Sequence, residues 1–201
     1  MSPASTATAA WRRRMRPVRA TLVVAVALAV ASCGSPQPSA QAQKELDAGL
    51  AADAVGNVDE AAQHYRACLK IEPLNQFCIF NLGVQAQSAG RALEAENAYR
   101  LALLQDSSFP QALFNLAILR NEAGATAEAI QLYRHLIEVD PGNAAAHLNL
   151  GLILVATGAV EEGKAELAQA VALDGSLTIP SPLPIPSGSP AVPGVSPSAV
   201  P

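Results

Sequence analysis

No acidic residue precedes Glu45, and no charged residue of either sign follows Asp174. The whole chain is also poor in aromatics, at 4%. Scarce aromatics argue against a sheet, whose strands favour them. Histidines number three (His64, His135 and His147) and stand far apart, with no carboxylate or cysteine at metal-ligand spacing. No glycine-rich phosphate loop and no nucleophile elbow occurs. These absences remove the sequence support for an enzyme, and neither a metal nor an organic cofactor is expected.

Alanine and leucine supply most of a hydrophobic content of 50%. Both are strong helix formers, so the composition predicts close-packed helices. Charge is divided along the chain. Five of the 13 basic residues (Arg12, Arg13, Arg14, Arg16 and Arg19) precede Cys33, while all 17 acidic residues follow it. The remainder carries eight basic against 17 acidic residues, a balance of −9. Such a body repels phosphate backbones, and nucleic acid is not an expected partner.

The arginines lead into an apolar run from Ala20 to about Val30, then small residues. A basic region, a short apolar region and small residues form a secretory signal, here residues 1–32. The run is shorter than the roughly 20 residues that span a bilayer. Val30-Ala31-Ser32-Cys33 resembles the lipobox of bacterial lipoproteins. The resemblance implies that Cys33 is lipidated, becomes the new N-terminus and anchors the exported chain to a membrane, on its outer face or in a periplasm. Two acyl chains anchor stably where one does not. An ordinary signal cleaved elsewhere is the competing reading, and twin-arginine export is a further one. Residues 33–41 then form a short linker that holds the body of the chain within about 25 Å of the membrane, at roughly 3.3 Å per residue.

The segment "CIFNLGVQAQSAG", Cys78 to Gly90, returns as "ALFNLAILRNEAG" (Ala112 to Gly124) and "AHLNLGLILVATG" (Ala146 to Gly158). A fainter copy, "KELDAGLAADAVG", runs from Lys44 to Gly56, and all four are spaced by 34 residues. Each unit carries two helical patterns. Ile79, Leu82, Gly83 and Ala86 mark a first-helix face that Gly90 ends, and Ala95, Tyr99 and Ala102 mark a second helix from about Ala92. Ala61, Tyr65 and Cys68 repeat the second pattern, as do Ala129, Tyr133 and Leu136, and Gly163, Leu167 and Ala170. Pro73 and Pro141 close the first and third units.

This pattern resembles the tetratricopeptide repeat, two antiparallel helices per 34 residues. The large residue opening the first helix is Ile79, Leu113 or His147, and the Leu-Gly pair is Leu82-Gly83 or Leu150-Gly151, with Leu116-Ala117 between them. The family's aromatic three residues beyond that pair is replaced by Ala52, Ala86, Arg120 and Leu154. The resemblance implies an all-α, right-handed α-solenoid of four helix-turn-helix units at 42–75, 76–109, 110–143 and 144–175. First helices would line its concave face. The first unit is weaker, with Glu45 and Ala48 where bulk belongs, as in a polar cap.

Asn81, Asn115 and Asn149 hold equivalent places in three first helices, and Asp47 holds it in the first unit. A carboxamide gives one donor group and one acceptor to a peptide backbone. Several peptide-binding members of the resembled family carry such an asparagine row in the groove. Around it lie Phe77, Phe80 and Val84, then Phe114 and Ile118, then Leu148, Leu152 and Val155, apart from the core stripe of Ile79, Leu82, Leu113, Leu116 and Leu150. A second apolar face must be buried or offered to a partner. The expected function is a non-enzymatic scaffold that binds an extended protein segment. The other reading makes the asparagines bonds between units and the phenylalanines filler. Leu46, Leu50 and Gln111 stand where a clamp for carboxylate-ended peptides needs basic residues.

Several further readings stand open. Cys68 and Cys78 form a disulfide, as export favours, or remain two buried thiols. The Tyr-Arg pairs (Tyr65-Arg66, Tyr99-Arg100 and Tyr133-Arg134) read as a core tyrosine beside a solvated arginine. Residues 176–201 hold eight prolines and read as a disordered or polyproline-like tail. That tail is free, covers the last helix, or lies in the groove. A docking block in a cell-envelope, pilus or secretion assembly, using its convex face, is the alternative function. Sequence leaves the oligomeric state open.

Overall fold

The computed structural model describes residues 39–179 and 183. Residues 1–38, with the signal segment and Cys33, lie outside that range, as does most of the 176–201 segment. Eight helices and no strand occur among the described residues: α1 (Ala40–Ala54), α2 (Val58–Ile71), α3 (Gln76–Ser88), α4 (Ala92–Gln105), α5 (Pro110–Glu122), α6 (Thr126–Val139), α7 (Ala144–Ala156) and α8 (Val160–Leu173). They pair as hairpins α1–α2, α3–α4, α5–α6 and α7–α8, and each second helix packs on the first helix of the next unit.

The turn inside every hairpin is the same. Gly56, Gly90, Gly124 and Gly158 adopt φ of 80°, 73°, 78° and 96°. In the second unit the Arg91 N–H donates to Ala86 O at 2.8 Å and the Gly90 N–H to Gln87 O at 2.9 Å. This is the Schellman arrangement, in which a left-handed residue lets the chain close over the last turn of the helix. Glycine is the residue that takes that conformation without a Cβ penalty.

The turns between units also repeat. Asn75, Phe109 and Asn143 donate their N–H to the carbonyls of Glu72, Asp106 and Asp140 at 3.0, 3.2 and 3.1 Å. The next helix is then capped by a side chain or opened by proline. Asn75 accepts from the Cys78 N–H at 3.1 Å, Asn143 accepts from the Ala146 N–H at 3.0 Å, and Pro110 takes the first helical position of α5. Ser39 caps α1 by accepting from the Ala42 N–H at 3.2 Å. Its own N–H meets the Glu72 carboxylate. These contacts start the first helix at Ala40, inside the segment read from sequence as linker.

Close packing follows from small residues facing large ones. A Cβ on Gly83 would come within 2.8 Å of the Tyr99 ring and 2.9 Å of the Ala98 Cβ. The Tyr65 ring lies in the same way over Gly49, and Leu167 over Gly151. In the last hairpin a Cβ on Gly163 would meet the Gly151 carbonyl at 2.7 Å. Backbone therefore packs on backbone between α7 and α8. Tyr65, Tyr99 and Tyr133 are buried in the cores of their hairpins.

Cys68 and Cys78 are joined, with Cα atoms 6.5 Å apart, and both are fully buried. The bond ties α2 to α3, across the boundary between the first two units. One core reading, Leu82, and one strip reading, Val155, need correction. Leu82 is only half-buried and packs back onto the first unit's cluster around Cys68 and Cys78. Val155 is fully buried, because Gly163 opposite it leaves room for its methyl groups.

Candidate functional site

The first helices present a strip repeated in three units. Phe80, Asn81 and Val84 on α3, Phe114, Asn115 and Ile118 on α5, and Leu148, Asn149 and Leu152 on α7 are all half-buried. Phe77, one turn earlier on α3, is 42% exposed, and Leu50 on α1 is 46% exposed. The strip is thus a partly open apolar surface with one carboxamide per unit. Val155 leaves the set, being buried between α7 and α8.

Part of the strip also serves packing between units. The Phe80 ring lies 5.6 Å from the Tyr99 ring and 5.1 Å from that of Phe109, the residue that leads into the next unit. Phe77 meets Phe109 edge-on at 5.5 Å. Phe114 meets Tyr133 edge-on at 5.9 Å. Such edge contacts hold the rings in place and leave part of each face uncovered.

The three asparagines differ. The Asn81 amide donates to the Phe77 carbonyl of its own helix at 2.8 Å. The Asn115 amide points to the Tyr99 hydroxyl at 3.5 Å, the limit of a hydrogen bond. Asn149 is half-buried and makes no side-chain hydrogen bond among the described residues. Donor capacity at the strip therefore rises from the second unit to the fourth.

Below the strip two of the tyrosine hydroxyls are held by side chains of the first helices. Tyr65 donates to Asp53 at 2.6 Å and Tyr99 to Gln87 at 2.7 Å. Burial, with the Asp53 carboxylate beside it, raises the Tyr65 phenol well above its ordinary range. Burial pushes Tyr99 up to about 12. The fourth unit has Val155 and Leu167 at the two equivalent places, both buried. There the polar pair has become an apolar one.

The terminal units carry a polar pair where the inner units carry apolar residues. His64 Nδ1 lies 2.9 Å from Glu45, and His147 Nδ1 lies 2.6 Å from Glu166. Each pair joins a first helix to its second helix at a separation of 19 residues, but the order is inverted: glutamate first in the first unit, histidine first in the fourth. Ile79 faces Ala98 and Leu113 faces Leu132 at the same places in the inner units. His147 also bonds the Pro141 carbonyl at 3.2 Å, so both ring nitrogens of this buried imidazole have partners. The His64 hydrogen bond holds the Glu45 carboxyl below its ordinary range.

Of the three arginines following the core tyrosines, Arg66 lies in solvent as read, but Arg100 and Arg134 do more. Arg100 reaches Glu128 at 2.6 Å and Arg134 reaches Glu162 at 2.6 Å, each one unit on. Arg120, at a place where the resembled family has an aromatic, bonds Glu96 at 2.9 Å and Glu128 at 2.7 Å. Glu96, Arg100, Arg120 and Glu128 so form a closed ring of charges. Partial burial works against ionisation of Glu128, yet the two guanidinium groups hold its carboxyl below the ordinary range.

Among the described residues no group of three metal-ligating side chains gathers, and no helix is long and apolar enough to cross a membrane. Among the described second helices, α4 exposes leucine as a stripe, with Leu93, Leu101 and Leu104 at 72%, 38% and 79%, whereas α8 exposes the single Leu173 at its end. Sequence reasoning missed this stripe. The equivalent residues (Asp59, Ala67 and Lys70 in α2, Ala127, His135 and Glu138 in α6) are not large and apolar, so repeat averaging hides it.

No curated protein sequence matches this chain. The family model described as tetratricopeptide repeat matches residues 120–176. Solved structures with a similar fold include MamA from Desulfovibrio magneticus RS-1, at 16% identity over 69% of this chain and 78% of that one, with a TM-score of 0.61. A tetratricopeptide repeat protein from Parabacteroides merdae is similar at 21% identity over 69% and 55% of the two chains, with a TM-score of 0.61. An O-GlcNAc transferase mutant from Thermobaculum terrenum is similar at 19% identity, over 69% of this chain and 27% of that one, with a TM-score of 0.60. With eight helices in four hairpins at a 34-residue repeat, the described helical body of this chain has the fold of a tetratricopeptide-repeat array.

Proposed function

We propose that this chain is a non-enzymatic, membrane-anchored scaffold that binds an extended segment of a protein partner along its first-helix strip. The observation that carries the reading is the threefold recurrence of a half-buried apolar–asparagine–apolar set on α3, α5 and α7. Asn81 and Asn115 each make one internal hydrogen bond, which leaves part of the donor and acceptor capacity of the row for a partner. Apolar side chains of a bound segment would seat beside Phe77, Phe80, Phe114 and Leu148, while Asn115 and Asn149 hydrogen-bond its backbone. The anchor would be the lipids on Cys33, outside the described residues, and it puts the array at the outer face of a bacterial membrane or in a periplasm.

The exposed leucines of α4 favour a second reading. In that reading the array is a docking block that meets an envelope, pilus or secretion assembly through its convex face. Crosslinking in membranes, with capture and mass spectrometry, separates the two. The wild type is compared with a variant carrying Asn81→Ala, Asn115→Ala and Asn149→Ala, and with one carrying Leu93→Ser, Leu101→Ser and Leu104→Ser. The strip reading predicts loss of the partner from the first variant, with helicity retained and the second unaffected. The opposite pattern transfers the function to α4.

A further inference from the structure

The strip has a distinct chemistry. Its residues include no lysine or arginine, and the charged residues of the four first helices are Lys44, Glu45, Asp47, Asp53, Arg120 and Glu122, of which Arg120 is held by Glu96 and Glu128. Asp53 is already engaged by Tyr65 and by the Gln85 amide at 3.0 Å. What remains is a partly open apolar surface with amide donors at Asn115 and Asn149. A segment rich in proline suits such a surface. It offers backbone carbonyls and few N–H groups, so it needs donors more than acceptors. Aromatic-lined grooves take proline-rich segments because the extended polyproline form is already ordered before binding.

This chain contains such a segment. Residues 176–201 hold no charge and eight prolines, with Leu177, Ile179, Leu183, Ile185, Val192, Val195 and Val200 among them. The way the segment leaves α8 is informative. The Leu177 N–H donates to the Asp174 carbonyl at 3.1 Å, the same turn that Glu72–Asn75, Asp106–Phe109 and Asp140–Asn143 make between units. The Asp174 carboxylate further accepts from the Ser176 N–H at 2.9 Å and the Ser176 hydroxyl at 2.6 Å. The chain is thus turned as if a fifth first helix were to follow, but Pro180 and the prolines after it forbid that helix. Leu177 takes the place that Phe109 holds two units earlier, and Phe109 packs on the strip residues Phe77 and Phe80. Gly175 and Ser176 are exposed, whereas Leu177, Ile179 and Leu183 are half-buried.

We propose that residues 180–201 occupy the first-helix strip of their own chain as a built-in ligand, which a partner must displace. This rests on the strip being a peptide site. Reach is sufficient: at ~3.1 Å per residue the segment extends about 65 Å. Four first helices at spacings of about 10 Å present a strip on the order of 40 Å. Segment and strip are complementary in having apolar groups on both sides and no charge pair to satisfy.

The test uses the full chain. A photo-crosslinking residue placed at Ile185 should form crosslinks within one molecule to peptides containing Phe80–Val84, Phe114–Ile118 or Leu148–Leu152, at a yield independent of protein concentration. In the variant Leu183→Asp with Ile185→Asp, the affinity for the captured partner should rise about tenfold, the factor for a free strip present one-tenth of the time in the wild type. Crosslinks confined to α8 or to the outer helices would overturn the proposal. So would a yield that rises with concentration, which assigns the strip to the segment of a second copy. If crosslinks miss the strip while the partner still depends on the three asparagines, the built-in ligand alone fails. If neither reaches the strip, the peptide site fails with it.

Discussion

The Arg134 guanidinium meets Glu162 of the following unit at 2.6 Å, one unit on from the contact Arg100 makes with Glu128. Each bond spans 28 residues and ties the second helix of one unit to the second helix of the next. The contacts are not equal in weight. Arg134 and Glu162 are exposed by 43% and 48% at their side chains, whereas Arg120, bonded to both Glu96 and Glu128, is 22% exposed. Arg120→Ala should therefore cost about 1 kcal/mol and Arg134→Ala less than about 0.5 kcal/mol. Urea unfolding of the two variants checks the order, and a larger loss at Arg134 would contradict it.

The same ring predicts an acid response. The folded-state pKa of Glu128 is depressed by its arginines. Its contribution is present above the unfolded value of about 4.3 and is lost as pH falls through the lower folded value. Glu128→Gln should be less stable than wild type at pH 7, with the gap narrowing below about pH 4. Urea midpoints at a series of pH values measure this. A gap that stays constant down to pH 3 would mean that Glu128 acts by packing.

Gly83 and Gly90 make opposite demands on a Cβ. A Cβ on Gly83 would strike Tyr99 and Ala98, although alanine is the better helix former by about 1 kcal/mol. Overpacking wins, and Gly83→Ala should destabilise by about 1–3 kcal/mol. At Gly90 nothing lies within 4 Å, but φ is 73°. Gly90→Ala should cost about 1–2 kcal/mol through the backbone alone. Tyr99→Ala as a common background separates the mechanisms: added to Gly83→Ala it should relieve the part of the loss due to the Tyr99 ring and leave the Ala98 contact, whereas added to Gly90→Ala it should relieve none.

Joining Cys68 to Cys78 closes a short loop across the first unit boundary. Cys68→Ala with Cys78→Ala should lower stability by about 2–3 kcal/mol, mainly by freeing the unfolded chain. Alkylation of the denatured protein with and without reductant should show a mass difference from two thiols. Equal masses would remove the bond.

Much of the fold is legible in one line of sequence because the 34-residue period repeats its hinge glycines, capping residues and small–large pairs. Gly83 and Tyr99 announce a close hairpin by their spacing alone. Contacts between units are less legible. Arg100 and Glu128 become neighbours only when two hairpins stack, and a spacing of 28 has no meaning on a single helix. The inverted pairs Glu45–His64 and His147–Glu166 are hidden for a similar reason, since neither histidine has a partner nearby in sequence. Val155 reads as a strip residue because its burial depends on the missing side chain of Gly163. The strip itself is legible as a second apolar face, but the different bonding of Asn81, Asn115 and Asn149 is not.

The central claim is that a partner segment lies on the first helices. Hydrogen exchange on the captured complex tests it most directly, by comparing each helix with the free chain. Added protection is expected in α3, α5 and α7, with no change in the outer face of α4. Protection confined to α4, with the first helices unchanged, would contradict the claim.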